Sequence, residues 1–426
     1  MRPDIIAIDG GSTDSGPSYL GRGVSKYARA STKLEWSELI EAARQAGCPL
    51  VIGTAGTCGT DSAVEWLLDI TREILSEQNH SAKIAVLRSQ QPVERVQAAL
   101  AQGQITPLPG APDIDAGVVG GCTNIVALAG AEQIAAALQT DADIIIAGRT
   151  TDTAIIAALP IMRGDHAGAA WHGAKVGECG ALCATRPQSG VLMVEFDNSG
   201  YTVHPLAEGA KASPESVLGH MLYENSDPFI LHEPGGHLDV TGATYTALDD
   251  TRVRVEGSVW VPSVNYCVKL EGARVGGYQT LLIATVRDSH YVDHIADWIA
   301  DIETKHTSKV KARMGLERGP DYSCELRVIG ANSTLGALET RSTAAPELGV
   351  MCIVTAPKQD VANEIGKLMN PYLLHHPLTQ EEEQPTFSFP FSPAEIDRGA
   401  VYEFCLHHVM KLNDPMEAFA LEVLDA

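Results

Sequence analysis

Three polar or glycine-rich turns hold most of the side chains in this sequence that could do chemistry. The residues of the first turn are Asp9, Gly10, Gly11, Ser12, Thr13 and Asp14. The second turn, residues 53–59, includes Gly53, Thr54, Gly56 and Thr57, and the third, residues 148–152, includes Arg149 and Asp152. Carboxylates in such turns can transfer protons, while backbone amides and a guanidinium can hold an anion.

Each of these turns follows an apolar segment that is typical of a buried strand, at residues 5–8, 49–52 and 143–147. Amphipathic helical patterns follow the strands, and this repeated unit predicts a parallel sheet covered by helices. One glycine-rich turn is commonly plain turn chemistry, but three on successive strands favour a ligand site. Because ligands bind at the carboxyl ends of parallel strands, we expect the three turns to converge on one pocket.

Arg149 is the strongest candidate for holding an anion. It directly follows an apolar strand, and residues 150–152 are typical of a helix N-terminus, where backbone amides favour negative charge. The planar guanidinium suits a carboxylate or a phosphate. The alternative is a structural arginine that pairs with Asp152. Asp14 and Asp152 are candidates for acid–base catalysis.

Residues 171–184 form an unusual glycine-rich helix candidate. His172 and Lys175 lie within one turn of each other, which suggests acid–base roles, whereas Cys179 and Cys183 are better explained by core packing. Further along, Lys269 and Glu271 point to the same side of a predicted strand, because strand side chains alternate. This pair either forms a surface ion pair or lines the anion-binding cleft.

The sequence lacks the signature motifs of several classes of cofactor and metal site. Residues 232–239 cluster His, Glu and Asp in what the pattern predicts to be a loop, but without a zinc spacing, so we expect no metal there and no structural zinc. A magnesium or manganese ion held by Asp9 or Asp14 is left open. The chain has neither a P-loop lysine nor the dinucleotide fingerprint, and it has no nucleophile elbow. The cofactor is left open. Residues 9–13 are similar to the phosphate turn of sugar kinases and actin-like ATPases, although Ser15-Gly16-Pro17-Ser18 follows instead of a β-hairpin.

Composition restricts the partners. The 426 residues are 45% hydrophobic and 20% charged, with a formal net charge of −23, which disfavours nucleic acid and anionic membrane surfaces. Nine cysteines without paired spacing indicate reduced thiols. The chain reaches its first strand within a few residues, which leaves no room for a signal peptide, and no apolar run reaches membrane-spanning length. We therefore expect a cytoplasmic protein.

The pattern changes near residue 187. Residues 191–204 predict a hairpin, and alternating segments follow, while Ser392-Pro393-Ala394-Glu395 resembles the start of a helix in the C-terminal tail. Earlier, a helix is predicted at residues 38–45. The sequence thus predicts an α/β fold, with a Rossmann-like parallel-sheet domain over residues 1–187. A second, α+β lobe would cover residues 188–426, including the C-terminal segment.

Five blocks resemble the acyclic terpene utilisation AtuA family: residues 9–17, 148–154, 233–239, 266–273 and 389–393. The similarity runs from about residue 4 to residue 410. Residues 120–124 and 176–179 differ from the pattern of relatives, which bears on the substrate and not on the fold. The resemblance implies a role in catabolism, among enzymes that handle organic acids or acyl thioesters, and a small companion protein.

The function that we predict is a catabolic lyase or hydratase that acts on a small carboxylate or its acyl thioester. One alternative is an ATP-dependent enzyme built on residues 9–13. Another is a subunit that is active only with a small companion protein. A homo-oligomer is also expected.

Overall fold

A computed structural model of the chain describes residues 2–340 and 345–426. Residues 1 and 341–344, which the predicted domains include, lie outside the described residues. The helices in chain order are α1 (Ser18–Arg22), α2 (Arg29–Ala46), α3 (Asp61–Gln78), α4 (Val93–Ala101), α5 (Ala116–Gly120), α6 (Ala131–Leu138), α7 (Ala154–Arg163), α8 (Ala167–Glu178), α9 (Pro214–Gly219), α10 (Ser289–Asp293), α11 (Ile295–Met314) and α12 (Gln359–His375).

The strands are also numbered from the N-terminus, in a series of their own. In chain order they are β1 (Ile6–Asp9), β2 (Leu50–Gly53), β3 (Lys83–Arg88), β4 (Ile105–Pro107), β5 (Cys122–Ala127), β6 (Ile144–Ala147), β7 (Leu192–Phe196), β8 (Gly200–Pro205), β9 (Ile230–Glu233), β10 (Gly236–Asp239), β11 (Thr244–Ala247), β12 (Val253–Glu256), β13 (Val259–Pro262), β14 (Tyr266–Val286), β15 (Ser323–Ile329), β16 (Leu348–Ala356), β17 (Ile396–Leu412) and β18 (Ala420–Asp425).

A five-stranded sheet with the order β1-β2-β6-β3-β18 forms the centre of the N-terminal region. Its first four strands are parallel, and β18 pairs antiparallel with β3 at the edge. Every residue of β2 and β6 is buried, as expected for strands with both faces covered. The predicted α/β class with an N-terminal parallel sheet is confirmed.

Helices cover both faces of this sheet. Strand alternation turns Ile52 and Ile146 to one face, where they pack with Trp36 of α2 and the apolar side of α3. Val51 and Ile145 point to the opposite face and belong to a core that Trp171 of α8 also joins. Because α7 contributes Ala154 to this second core, the loop that precedes α7 is fixed against the sheet.

The chain divides into two compact units, Met1–Arg274 with Glu403–Ala426, and Val275–Tyr402. The first unit also contains two antiparallel sheets, β11-β12-β8-β7 and β13-β10-β9. In the second unit, β16 pairs with the later part of β14 on one side and with β15 on the other. The core of this unit includes Trp298 of α11 and Ile365 of α12. The change of pattern predicted near residue 187 falls within the first unit, between α8 and β7.

Some predicted elements are wrong. The tail helix after Ser392 is absent from its predicted place, where the described chain enters β17, because alternating aromatic and β-branched residues override the capping signal. Residues 232–239 form the β9–β10 hairpin and not a loop, with the turn at Pro234 and Gly235. The helix predicted at residues 38–45 begins earlier, at Arg29.

The helix predicted over residues 171–184 ends at Glu178, and a 3-10 turn, Gly180–Cys183, follows. Glycine has a low helix propensity, and the run Gly177–Gly180 allows the helix to stop there. Within residues 2–340 and 345–426, none of the helices combines the length and the apolar character needed to cross a bilayer.

Candidate functional site

The three predicted turns meet at the carboxyl edge of the parallel sheet. They follow β1, β2 and β6, which are adjacent and parallel. The amide of Gly10 donates to the carbonyl of Gly53 at 2.8 Å, and a Cβ on Gly10 would overlap the carbonyl oxygen of Thr54. A Cβ on Gly59 would overlap the backbone of Arg149. The turns therefore touch through their backbones, and glycine permits that approach.

Arg149 forms a buried ion pair with Glu271 in the centre of this edge. The Nε atom of Arg149 lies 3.0 Å from Oε2 of Glu271, and Nη2 lies 3.3 Å from Oε1. Its Nη1 atom donates to Oγ1 of Thr54 and to the carbonyl of Thr150. Only 6% of Arg149 and 4% of Glu271 is exposed, so Glu271 occupies the fork that we expected to hold a substrate anion.

Two further predicted residues contact the same carboxylate. Thr13 Oγ1 donates to Oε2 of Glu271 at 3.0 Å, and Lys269 Nζ donates to Oε1 at 3.1 Å. Lys269 and Glu271 therefore share one side of β14, as strand alternation predicted. Burial raises the pKa of Glu271, but the charges of Arg149 and Lys269 outweigh burial and hold that pKa at about 2. Glu271 is consequently ionised at neutral pH.

Asp152 and Asp9 lie beside this ion pair. Oδ1 of Asp152 is 3.6 Å from Nη1 of Arg149, is shielded from solvent, and has no hydrogen-bond partner in the described chain. Burial, with the nearby charges of Asp9 and Glu271, raises the pKa of Asp152 to about 7 despite Arg149. Asp9 accepts from the amide of Gly11 at 2.7 Å, and burial raises its pKa too.

Glu233, at the end of β9, adds another carboxyl group. Its Oε1 atom accepts a hydrogen bond from Thr153, whose hydroxyl is 3.2 Å from that of Thr151. Its Oε2 atom is shielded and has no hydrogen-bond partner among the described residues. Burial raises the pKa of Glu233 to about 7, and the negative charge of Asp152 contributes to this rise.

Lys175 and Glu178 form a second buried ion pair, three residues apart on α8, with side chains 5% and 6% exposed. Burial raises the pKa of Glu178 to about 8, although the charge of Lys175 opposes the rise. The charge of Lys175 also lowers the pKa values of Asp152 and Glu233. We call Asp9, Asp152, Glu178, Glu233 and Glu271 the carboxyl cluster.

Two predicted catalytic residues lie outside the contacts of this cluster. The Nδ1 atom of His172 is 2.7 Å from Oγ of Ser258, and its ring meets Tyr201 and Tyr245 edge-on. Burial lowers the pKa of His172 to about 3, so the ring is neutral. Asp14 is exposed in a 3-10 turn, although its charge contributes to the raised pKa of Asp9.

The surroundings of the remaining candidates do not favour a chemical role. Burial raises the pKa values of Cys179 and Cys183 to about 11 and 12, which disfavours the reactive thiolate. Across residues 2–340 and 345–426, no three His, Cys, Asp or Glu side chains are grouped to hold a metal ion. The chain after Asp9–Asp14 continues into the 3-10 turn and α1, not into the hairpin of the ATPases.

Three contributors to the site were not among the predicted site residues: Glu178, Glu233 and Ser89. The hydroxyl of Ser89 accepts from the amide of Arg149 and fixes the backbone there. The spacing of Lys175 and Glu178 was a usable signal, because residues three apart on a helix are neighbours. Glu233 lies in a block that the family resemblance had already marked.

The shifted pKa values of the carboxyl cluster are suited to proton transfer. Asp152, Glu233 and Glu178 titrate near neutral pH, whereas Glu271 stays ionised beside Arg149. Carboxyl groups with separated pKa values are the usual basis for assigning an acid and a base.

The comparisons with known proteins agree with the sequence blocks. The model of the acyclic terpene utilisation family protein AtuA matches residues 22–401, which include four of the five blocks. No curated protein and no solved structure matches the chain. The family match covers most of the 426 residues, so the chain belongs to the acyclic terpene utilisation family AtuA.

Proposed function

We propose that this protein is a catabolic lyase or hydratase that adds water to, or removes it from, a small carboxylate or its acyl thioester. One observation carries the proposal. Asp152 and Glu233 each have a buried oxygen without a hydrogen-bond partner in the described chain and a pKa of about 7. A catalytic acid or base works best when its pKa lies near the operating pH.

Dehydration of a 3-hydroxyacyl group needs two proton transfers. A carboxylate takes the proton from the carbon beside the carbonyl, and a protonated carboxyl gives a proton to the departing hydroxyl. The products are the unsaturated acyl group and water. In this scheme Asp152 and Glu233 supply the two carboxyl groups, and each must be able to change its protonation state during turnover.

The charge of the site favours the thioester over the free carboxylate. Arg149 and Lys269 both contact Glu271, and Lys175 contacts Glu178, so the nearby cations are already paired. Among the described residues, Asp9 and Glu233 then have no ion-pair partner, and the cation nearest to Asp152 is Arg149, at 3.6 Å. The carboxyl cluster would repel the negative charge of a free carboxylate substrate, but it would not repel the uncharged carbonyl of a thioester.

Hydrogen–deuterium exchange at the carbon beside the carbonyl tests the proposal without choosing a reaction direction. Wild type, Asp152→Asn and Glu233→Gln are incubated in deuterated buffer with a panel of 3-hydroxyacyl and 2-enoyl thioesters, and exchange and hydration are followed by NMR. We expect wild type to be active and both variants to lose 10²- to 10⁴-fold in rate.

Asp250 is exposed, so Asp250→Asn is the matched control and should keep the wild-type rate. Melting temperatures no lower than that of wild type would show that the losses are chemical. Rates in Asp152→Asn and Glu233→Gln equal to wild type would contradict the proposed roles. Repeating the assay with protein co-purified from the native host tests the alternative that a small companion protein is needed.

A further inference from the structure

A cavity of about 350 Å³ lies between the helices α2 and α3 and the carboxyl ends of β1 and β2. Its wall is mainly apolar and aromatic, with Trp36, Leu39, Ile52, Trp66 and Leu67. Its opening is polar, because Ser31 and Glu35 are exposed on α2. Volumes of this size are common for small-molecule sites, and an apolar wall with few polar groups is their usual chemistry.

The charges of the wall exclude an anionic ligand. The lining residues include the carboxyl groups of Asp9 and Glu35, and in the part of the chain that the structure describes none of the lining side chains is a lysine, arginine or histidine. A phosphate would therefore meet two carboxyl groups and no cation in the lining. The wall is suited to an uncharged hydrocarbon group, which gains free energy when it leaves water.

The cavity adjoins the carboxyl cluster through the turn after β1. Asp9 and Gly10 line the cavity, and Asp9 is itself a member of the cluster. Four residues further on, Thr13 donates its hydroxyl hydrogen bond to Glu271. Gly56, from the turn after β2, lines the cavity as well. One turn therefore forms both a wall of the cavity and an edge of the cluster.

We propose that this cavity holds the hydrocarbon chain of the acyl substrate, while the carbonyl end lies at the carboxyl cluster. The inference rests on the proposed function and extends it to the substrate class: an acyl group of medium length. If each carbon takes roughly 30 Å³, about the share of one molecule in liquid water, the volume sets an upper limit of about twelve carbons, so a chain of about ten carbons would fit.

Binding of straight-chain primary alcohols tests the cavity without requiring catalysis. Alcohols of four to fourteen carbons are titrated into the wild-type protein, and affinity is measured by calorimetry and by the fluorescence of Trp36 and Trp66. Each added methylene should tighten binding about fourfold, because its burial is worth about 0.8 kcal/mol. The gain should stop near ten carbons. Affinity that does not depend on chain length would overturn the proposal.

Two alanines provide a matched pair of variants. Ala28 lines the opening of the cavity, and Ala30, two residues away and exposed, does not line it. Ala28→Trp should weaken binding of the ten-carbon alcohol at least tenfold, whereas Ala30→Trp should bind like wild type, at equal melting temperatures. Equal binding by both variants would overturn the proposal, and so would competition between the alcohol and ATP.

The same titration separates this inference from the proposed reaction. Asp152→Asn should bind the alcohols like wild type even though it loses activity, because Asp152 does not line the cavity. Normal alcohol binding by a protein inactive on every thioester would retain the cavity and reject the reaction. Activity on thioesters without alcohol binding would retain the reaction and reject the cavity as the site of the hydrocarbon chain.

Discussion

The guanidinium of Arg149 and the carboxylate of Glu271 form two hydrogen bonds, 3.0 and 3.3 Å long, although 122 residues separate them in the chain. Both groups are almost fully buried, so each is the main compensation for the other's charge. The pair also ties the turn after β6 to β14. Its first role is to fix the position of Glu271 and of the neighbouring carboxyl groups.

Replacing Arg149 should therefore reduce stability strongly. Arg149→Met leaves the buried Glu271 carboxylate with only Lys269 and Thr13 as partners, and we expect a loss of about 3–5 kcal/mol in the free energy of unfolding. Arg149→Lys keeps the charge but loses the two-pronged contact, so its loss should be smaller. Urea denaturation measures both. As a control, Arg88→Lys in a more exposed ion pair should cost about 1 kcal/mol or less.

Asp152 should make the protein less stable as the pH rises. Its pKa moves from an ordinary 3.8 to about 7 on folding, so folding costs increasingly more between pH 4 and pH 7. Asp152→Asn removes this penalty, and its stability relative to wild type should improve by up to about 3 kcal/mol from pH 4.5 to pH 7.5. Melting curves across that range check the sign; a relative loss of stability towards pH 7.5 would contradict it.

Gly59 should tolerate no side chain. Its φ of +64° disfavours other residues, and a Cβ there would also overlap the backbone of Arg149. Gly103 has a similar φ of +68° but open space around it. Gly103→Ala should cost only about 1–2 kcal/mol of backbone strain. Gly59→Ala should cost clearly more or prevent folding, and similar losses in the two variants would refute the close approach of the turns.

His172 should prove to be a structural residue. With a pKa of about 3 it is neutral at every pH used for assays, so it cannot produce a limb of the pH–rate profile near neutrality. His172→Phe leaves Ser258 buried without its partner and should cost about 1–3 kcal/mol in stability. The pH–rate profile of the folded variant should keep its shape. If the variant loses a limb of the pH–rate profile near neutral pH, His172 is again a candidate for acid–base catalysis.

The sequence predicted the sheet edge well because strand periodicity and turn composition are local signals. Asp9, Thr54 and Arg149 lie at or just after the carboxyl ends of three strands, and parallel order then places them together. The partner of Arg149 was harder to predict from the sequence. Lys269 and Glu271 were predicted to share a strand face, but which group meets the guanidinium depends on packing across 122 residues. Glu233 was misplaced because a hairpin turn at Pro234 was interpreted as a loop.

The antiparallel pairing of β18 with β3 sets an order of events during synthesis. The strands β1, β2, β3 and β6 emerge from the ribosome within the first 147 residues, but β18 comprises Ala420–Asp425. Until those residues are released, β3 has an unpaired edge, and such edges recruit other chains. Aggregation of nascent chains should therefore concentrate at this edge, and a synthetic peptide with the sequence of β18 should suppress it.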